Sequence, residues 1–409
     1  MTTKPKMPTA HITFHDFMSL PVIFYHTLGI NPYESVTNKE TSSRWLLAVF
    51  LFQVINLNIT FVLEWCFVYI SYKNSENFVE SCMVMGYIVF VIVGELKMLT
   101  VWWQKSQLNE LMIEMELIFP PSDPEKQRHY LVDRYLKRCR FFTKGFACLY
   151  LVLIVTYNLF VLVQFLIRRF VLHSPTAVMA MPYTSVSPWS LDSKLGFCLM
   201  YTLQAIAGYT CTAGHASSDI LIYAVLIQAI MHYDYLSREL TGLQIQAGRV
   251  RDGYEQDLKI LQQLIAYHNK LLGLTEVINK VFGLPLLLNF MASSLMVCFV
   301  GFQMTIGLSV DIICKLAVLL VAEMVQIYLI CYFSDLLINA SLSVSDAVYN
   351  MNWIEADKRF NKMLIIIAQR AQRPVCLRAT VFLDISMQTM TMFLQMTYRF
   401  FCVIRTMYQ

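Results

Sequence analysis

The chain has 409 residues; 57% are apolar, only 15% are charged, the formal net charge is +4 and the mean hydropathy is +0.52. A soluble protein covers its surface with about 25% charged residues, so a multidomain soluble fold is excluded, and so is a disordered chain. The 11 cysteines are too dilute for a disulfide scaffold and the small charge gives no footing for nucleic acid, which leaves a polytopic protein embedded in a lipid bilayer.

Residues 1–44 read as a cytoplasmic N-terminal segment. Met1–His11 lacks the apolar run of a cleavable signal, and Phe14–Ile30 is apolar but too short to span, so an interfacial or re-entrant piece is expected there. Residues 45–232 hold four runs that meet the ~20 residues a helical crossing needs: Trp45–Ile70, Val79–Trp103, Phe141–Ile167 and Leu195–Met231. The fourth is too long for one crossing and has a polar middle, Gly208 to Asp219; one long helix, part membrane and part aqueous, is preferred over two short crossings. Residues 233–280 are polar, residues 275–340 hold the runs Thr275–Gly307 and Ile312–Ala340, residues 341–373 are polar again, and residues 374–409 hold the last run, Val375–Met407. The expected fold is an all-α membrane protein with seven transmembrane helices.

Lys and Arg are retained on the cytoplasmic side of a membrane. Residues 1–44 hold four of them, 104–140 seven, 236–283 six and 341–374 five, whereas 71–78 hold one, 168–194 three and 308–311 none. This alternation predicts a cytoplasmic N-terminus and an extracellular C-terminus.

Seven spans invite comparison with G-protein-coupled receptors, and Asp133-Arg134-Tyr135 looks like their signature triplet. Here it precedes the third span instead of following it, the orientation is inverted and the last span lacks Asn-Pro-x-x-Tyr, so the triplet reads as part of a charged juxtamembrane helix. No His-Glu-x-x-His, Gly-x-Ser-x-Gly, P-loop or Cys-x-x-Cys occurs, so neither catalysis nor a cofactor is expected. His215 and Asp219 stand one helical turn apart, a pair better suited to an interhelical polar contact than to a metal. Glu64, Glu95, Lys97, Asp311, Lys315 and Glu323 lie within spans, where charge is costly and therefore informative. Glu95 and Lys97 are expected near the inner interface, and Asp311 and Lys315 have the spacing of a helical pair.

The last span differs from the others. Asp384, Gln388, Thr391, Gln395, Tyr398, Cys402 and Arg405 recur at spacings of four and three, which places a polar stripe on one face of an otherwise apolar helix. Lipid does not suit that face, so it meets protein or water; helix–helix hydrogen bonding and an oligomeric pore wall explain it equally well.

Several short motifs, in order, resemble the insect odorant receptor family. They are Asp219-Ile-Leu-Ile-Tyr-Ala and His232-Tyr-Asp-Tyr-Leu at the end of the fourth helix, Tyr267-His268-Asn269-Lys270-Leu271-Leu272, and Asn289-Phe290-Met291-Ala292-Ser293-Ser294. The most specific is Ala347-Val348-Tyr349-Asn350-Met351-Asn352-Trp353, followed by Arg370-Ala371-Gln372-Arg373-Pro374, Phe382-Leu383-Asp384-Ile385-Ser386 and Gln395-Met396-Thr397-Tyr398-Arg399-Phe400. The sister gustatory family carries Thr-Tyr, five apolar residues, then Gln-Phe in its last span; this chain has Thr397-Tyr398 but Ile404-Arg405 there, which favours the odorant branch. The co-receptor of the family has a longer loop after the fourth span, so this chain resembles a tuning subunit.

The resemblance implies an odorant-gated, non-selective cation channel that assembles as a tetramer with co-receptor subunits in the plasma membrane of an olfactory sensory neuron dendrite. It implies a cytoplasmic anchor made from roughly Tyr233–Lys280 and Ser341–Arg373, and a break in the last helix for which Pro374 is the physical candidate, with Leu364–Ala368 in an anchor helix before it. It places a small volatile odorant in the outer half of the subunit, between helices two, three, four and six. Candidate lining residues are Cys82, Met83 and Tyr87 on helix two; Tyr157, Phe160, Val161 and Gln164 on helix three; Met200, Tyr201 and Gln204 on helix four; and Leu316 and Leu320 on helix six. Matching the pore helix assigns Tyr398 to gating and Phe401 and Arg405 to the outer pore, with Gln395 and Cys402 on the same stripe.

Overall fold

The structure is a computed structural model, and it describes residues 11–34, 44–73, 78–171, 173, 180–245, 253–305, 310–380 and 383–408. The helices are α1 (Phe14–Thr27), α2 (Arg44–Lys73), α3 (Phe78–Trp103), α4 (Lys105–Ile118), α5 (Pro124–His129), α6 (Val132–Ile154), α7 (Phe160–Leu166), α8 (Lys194–Gly242), α9 (Gly253–Gln303), α10 (Val310–Asn350), α11 (Lys358–Ala371) and α12 (Met387–Tyr408). One π turn, Val155–Leu159, joins α6 to α7 and another, Ile167–Val171, follows α7, so residues 132–171 run on as one rod. A two-stranded antiparallel hairpin, β1 (Arg378–Thr380) and β2 (Leu383–Asp384), precedes α12.

Among the described residues, six helices are long and apolar enough to cross a membrane. The six are α2, α3, the rod from α6 through α7, and α8, α9 and α10. The seventh, α12, has 22 residues and so a length of about 33 Å, enough to cross a hydrocarbon core of about 30 Å. In lipid every backbone group must find its partner within the protein, which is why continuous helices dominate.

The long fourth run is a single helix of 49 residues, not two crossings. It is the central post: every residue from Thr210 to Tyr233 is buried, as expected of a helix surrounded on all sides. Its polar middle stays helical because the hydroxyls return to the helix backbone, Thr210 to Ile206 O (2.8 Å), Thr212 to Gly208 O (2.7 Å) and Ser217 to Gly214 O (3.1 Å). Small residues let α3 cross it closely. A Cβ on Gly94 would lie 2.8 Å from Cys211 Sγ, and one on Gly214 would lie 3.1 Å from Gly94 O.

The Phe14–Ile30 stretch forms α1, which packs on α8 and α6 and buries Phe14, Phe17, Met18 and Tyr25. Asp133 pairs with Lys137 on an exposed turn of α6 (2.7 Å), while Tyr135 of the same triplet is buried. The Leu364–Ala368 run falls in α11, which starts on the Asp357 cap and buries Phe360, Leu364, Ile367 and Ala371 on one face.

The seventh run is corrected in one respect. Residues 375–380 and 383–386 are not helical, and Asp384 sits in β2, outside the helix whose stripe it was expected to begin. Pro374 contributes no N–H, and the backbone that follows is held by side chains of neighbouring helices. Ser341 accepts from Val375 N (3.0 Å), Ser334 accepts from Leu377 N (3.2 Å) and donates to Ile385 O (2.6 Å), and Asn279 donates to Cys376 O (3.0 Å) and accepts from Arg378 N (2.9 Å). Non-helical backbone is tolerated here because protein, not lipid, surrounds it.

Candidate functional site

A cavity opens between α2, α3, the α6–α7 junction, α8 and α10. It is lined by Leu57, Thr60, Phe61 and Glu64 of α2; Tyr87, Phe90 and Val91 of α3; Leu153 and Tyr157; Ala207, Gly208, Cys211 and Thr212 of α8; Leu319 of α10; and Tyr183 from the connection between the rod and α8. The lining is mainly apolar, with a few hydroxyls and one carboxyl, which suits a small neutral molecule held by burial and dispersion.

Three tyrosines form its aromatic wall. Tyr157 and Tyr183 stack at 6.2 Å between ring centres, and Tyr87 meets them edge-on at 5.7 and 5.9 Å. Each has a structural reason for its place. The π turn at Val155–Leu159 turns Tyr157 and Asn158 inward, a common use of such turns at functional sites. Tyr183 is carried in by its connection: its N–H donates to Gln204 Oε1 (3.2 Å), Gln204 Nε2 donates to Ser185 Oγ (2.9 Å), and its hydroxyl donates to Asn158 Oδ1 (3.2 Å). Gly208 leaves the room for this ring, since a Cβ there would run into it. The cavity outlines about 540 Å³ of atom-free space.

A polar network lies directly beneath. Phe90, in the cavity wall, stacks on His215 at 4.2 Å. His215 Nε2 contacts Phe90 O (2.9 Å) and its Nδ1 lies 3.5 Å from Lys97 Nζ. Lys97 pairs with Asp219 at 2.8 Å; Gln326 of α10 donates to Asp219 Oδ2 (2.6 Å) and to Asn289 Oδ1 of α9 (3.1 Å). Glu323 accepts from Ser293 (2.8 Å). Lys97 is thus buried among the helices, and His215 and Asp219 converge on it. Glu95 accepts from Asn58 Nδ2 at 2.6 Å.

The third feature is the face of α12. Met390, Phe393 and Thr397 are buried, whereas Gln388, Thr391, Gln395, Tyr398 and Arg405 are exposed on the single chain. Phe401 and Cys402 are half-buried, with Phe401 against Gly301.

A family profile described as 7tm Odorant receptor matches residues 77–398. The chain belongs to the insect odorant receptor family. Odorant receptor 67a of Drosophila melanogaster is 42% identical over 98% of this chain and 97% of its own length, and odorant receptor 85c of the same fly is 38% identical over 96% and 99%. The fold is that of the insect olfactory receptor OR5 from Machilis hrabei, with a TM-score of 0.79 at 16% identity, covering 95% of this chain and 97% of that one; a second structure of OR5, in complex with eugenol, matches equally well at 0.79 over 96% and 97%. As a member of this family the chain is a multi-pass membrane receptor of olfaction, and its relatives are odorant receptors over their whole length.

Of the residues the sequence nominated in this odorant receptor, Tyr87 and Tyr157 line the cavity. Met200, Tyr201, Gln204, Phe160, Val161 and Gln164 lie one to two turns nearer the loop end. There Tyr201 donates to Asn158 O, Gln204 tethers Tyr183, and Phe160 sits 5.8 Å beneath the Lys315 ammonium. Val161, Met200 and Leu316 are buried in helix contacts, Leu320 is half-buried, and the neighbouring Leu319 is the α10 residue in the wall. The side chains of Cys82, Met83 and Asp311 lie outside the described residues. What sequence reading missed is the contribution of α2. Leu57, Phe61 and Glu64 follow the four-and-three spacing of one helix face, and Glu64 is itself an intramembrane charge, so that signal was available. No periodicity could have placed Tyr183.

Proposed function

We propose that this chain is the odorant-binding, tuning subunit of a ligand-gated cation channel. The reading rests above all on the tyrosine-walled cavity enclosed by five elements of the bundle in a member of the odorant receptor family. A small volatile enters, packs against the Tyr87–Tyr157–Tyr183 cluster and binds more tightly to the conformation in which the pore is open, shifting the population toward it. The neighbouring network from Phe90 through His215, Lys97, Asp219 and Gln326 to Asn289 joins α3 and α8 to α10 and to α9, on which α12 packs. It offers a contiguous route from cavity to pore helix.

In this reading α12 lines the pore of a tetramer with co-receptor subunits, the N-terminus is cytoplasmic, and the ends of α8–α10 together with α11 form the cytoplasmic anchor. The receptor acts in the plasma membrane of an olfactory sensory neuron dendrite. The exposed row Gln395, Tyr398 and Arg405 on α12 supports the pore assignment. An Arg405 from every subunit at one constriction would repel cations, so a homomer conducts poorly and co-receptor subunits dilute the charge. The test is whole-cell recording against an odorant panel, with and without the co-receptor. Odorant-evoked current only in the co-expressing cells is expected; robust current from this chain alone defeats the tuning-subunit reading.

A further inference from the structure

The cavity wall holds one carboxyl, that of Glu64. Glu64 is 2% exposed, and its Oε2 is buried without a hydrogen-bond partner among the described residues. No Lys, Arg or His pairs with it among those residues: Lys97 is engaged by Asp219, and the Lys315 ammonium lies over Phe160. Nor do Tyr157 and Tyr183 satisfy it, because Tyr157 donates to Lys315 O (3.2 Å) and Tyr183 to Asn158 Oδ1. A buried polar oxygen left unmatched is costly, and in native proteins it marks a functional demand. An ionised carboxyl only accepts hydrogen bonds, and a neutral one carries an accepting oxygen beside its O–H, so in either state it offers an acceptor that a ligand O–H or N–H can match.

We propose that Glu64 is the polar anchor of the cavity and selects volatile ligands that carry a hydrogen-bond donor, a hydroxyl or an amine nitrogen, on an apolar frame. This rests on the reading that odorants occupy this cavity. The donor points toward α2 and the frame lies against Phe90, Leu153 and Leu319 on the other walls. Ethers of the same size fill the same space but leave the accepting oxygen of the carboxyl unmatched, and sites built around a buried polar group discriminate most strongly against analogues lacking its partner.

The test uses two matched sets, benzyl alcohol, benzyl methyl ether and benzylamine, and octan-1-ol, methyl octyl ether and octylamine. Each is applied to cells expressing the full-length receptor with the co-receptor. Half-maximal concentrations are compared for wild type, Glu64→Leu and Glu64→Gln at matched surface density. In wild type the donor-bearing members act at concentrations about tenfold below those of their ethers, the effect of one hydrogen bond to such a group. Glu64→Leu weakens the donors and spares the ethers, whose persistence shows that the variant folds and gates. Glu64→Gln keeps an acceptor without the charge. A preference for alcohols that survives it assigns the hydroxyl, and one for amines that disappears assigns the ammonium. Equal potency of donors and ethers in wild type, an unchanged gap in Glu64→Leu, or silence toward every donor while ethers evoke current overturns the proposal. Silence toward all compounds, with the receptor at the surface, defeats instead the ligand-gated reading on which it rests.

Discussion

Lys97 of α3 and Asp219 of α8 form an ion pair in the middle of the bundle, Nζ to Oδ1 at 2.8 Å and to Oδ2 at 2.9 Å, with side chains 4% and 0% exposed. It exists because Gly94 and Gly214 let the two helices approach. Gln326 satisfies the carboxylate further. Such a pair adds little net stability, yet removing one partner strands a charge in a dry interior, at a cost of about 3–5 kcal/mol. Lys97→Met and Asp219→Leu should each sharply lower surface delivery and thermal stability in detergent. The double variant should recover a large part of the loss, and its failure to recover would show that the pair does more than compensate charge.

Gly208 faces the Tyr183 ring, and no Cβ fits between them. Gly208→Val is expected to push Tyr183 out of the cavity and to shift odorant dose–response curves, while Tyr183→Ala on the glycine background should do the same by emptying the place. Helix contacts elsewhere are untouched, so surface density stays near wild type. Unchanged curves for both variants would remove the tyrosine cluster from the binding reading.

Asn279 holds the hairpin through two hydrogen bonds, to Cys376 O and from Arg378 N. Asn279→Ala removes both bonds, one exposed and one half-buried, with a cost of about 0.5–1.5 kcal/mol for each. Faster hydrogen exchange confined to residues 375–385 is the expected signature, together with a change in the concentration dependence of gating, because the hairpin is the lead-in to α12.

Arg405 is exposed on the face of α12 that carries Gln395 and Tyr398. Arg405→Gln or Arg405→Leu should raise single-channel conductance or change cation permeability in the heteromer, and should leave odorant sensitivity nearly unchanged. If neither conductance nor permeability moves, Arg405 lies outside the conduction path.

Much of the fold is legible in the sequence because a bilayer imposes simple rules. Apolar length marks α2, α3, the α6–α7 rod, α9 and α10, and the ordered motifs mark the family. Continuity of α8 through its polar middle was legible as well, since Ser and Thr hydroxyls can return to their own helix. The cavity was legible only as a set of helices. Tyr87 and Tyr157 lie on its wall, but the depth of the site depends on Tyr183, which Gln204 and Asn158 draw inward from a connection without any periodic pattern.

By itself the sequence determined that this chain spans a membrane, that its spans number seven and that it belongs with odorant receptors, because composition, run length and motif order are one-dimensional properties. Only the tertiary structure decided that Lys97 meets Asp219, that residues 375–380 and 383–386 are not helical, and that Glu64 of α2 enters the cavity. Each of these is a matter of which side chains from distant segments meet. A buried polar group reveals its role only when its partners, or their absence, are in place around it.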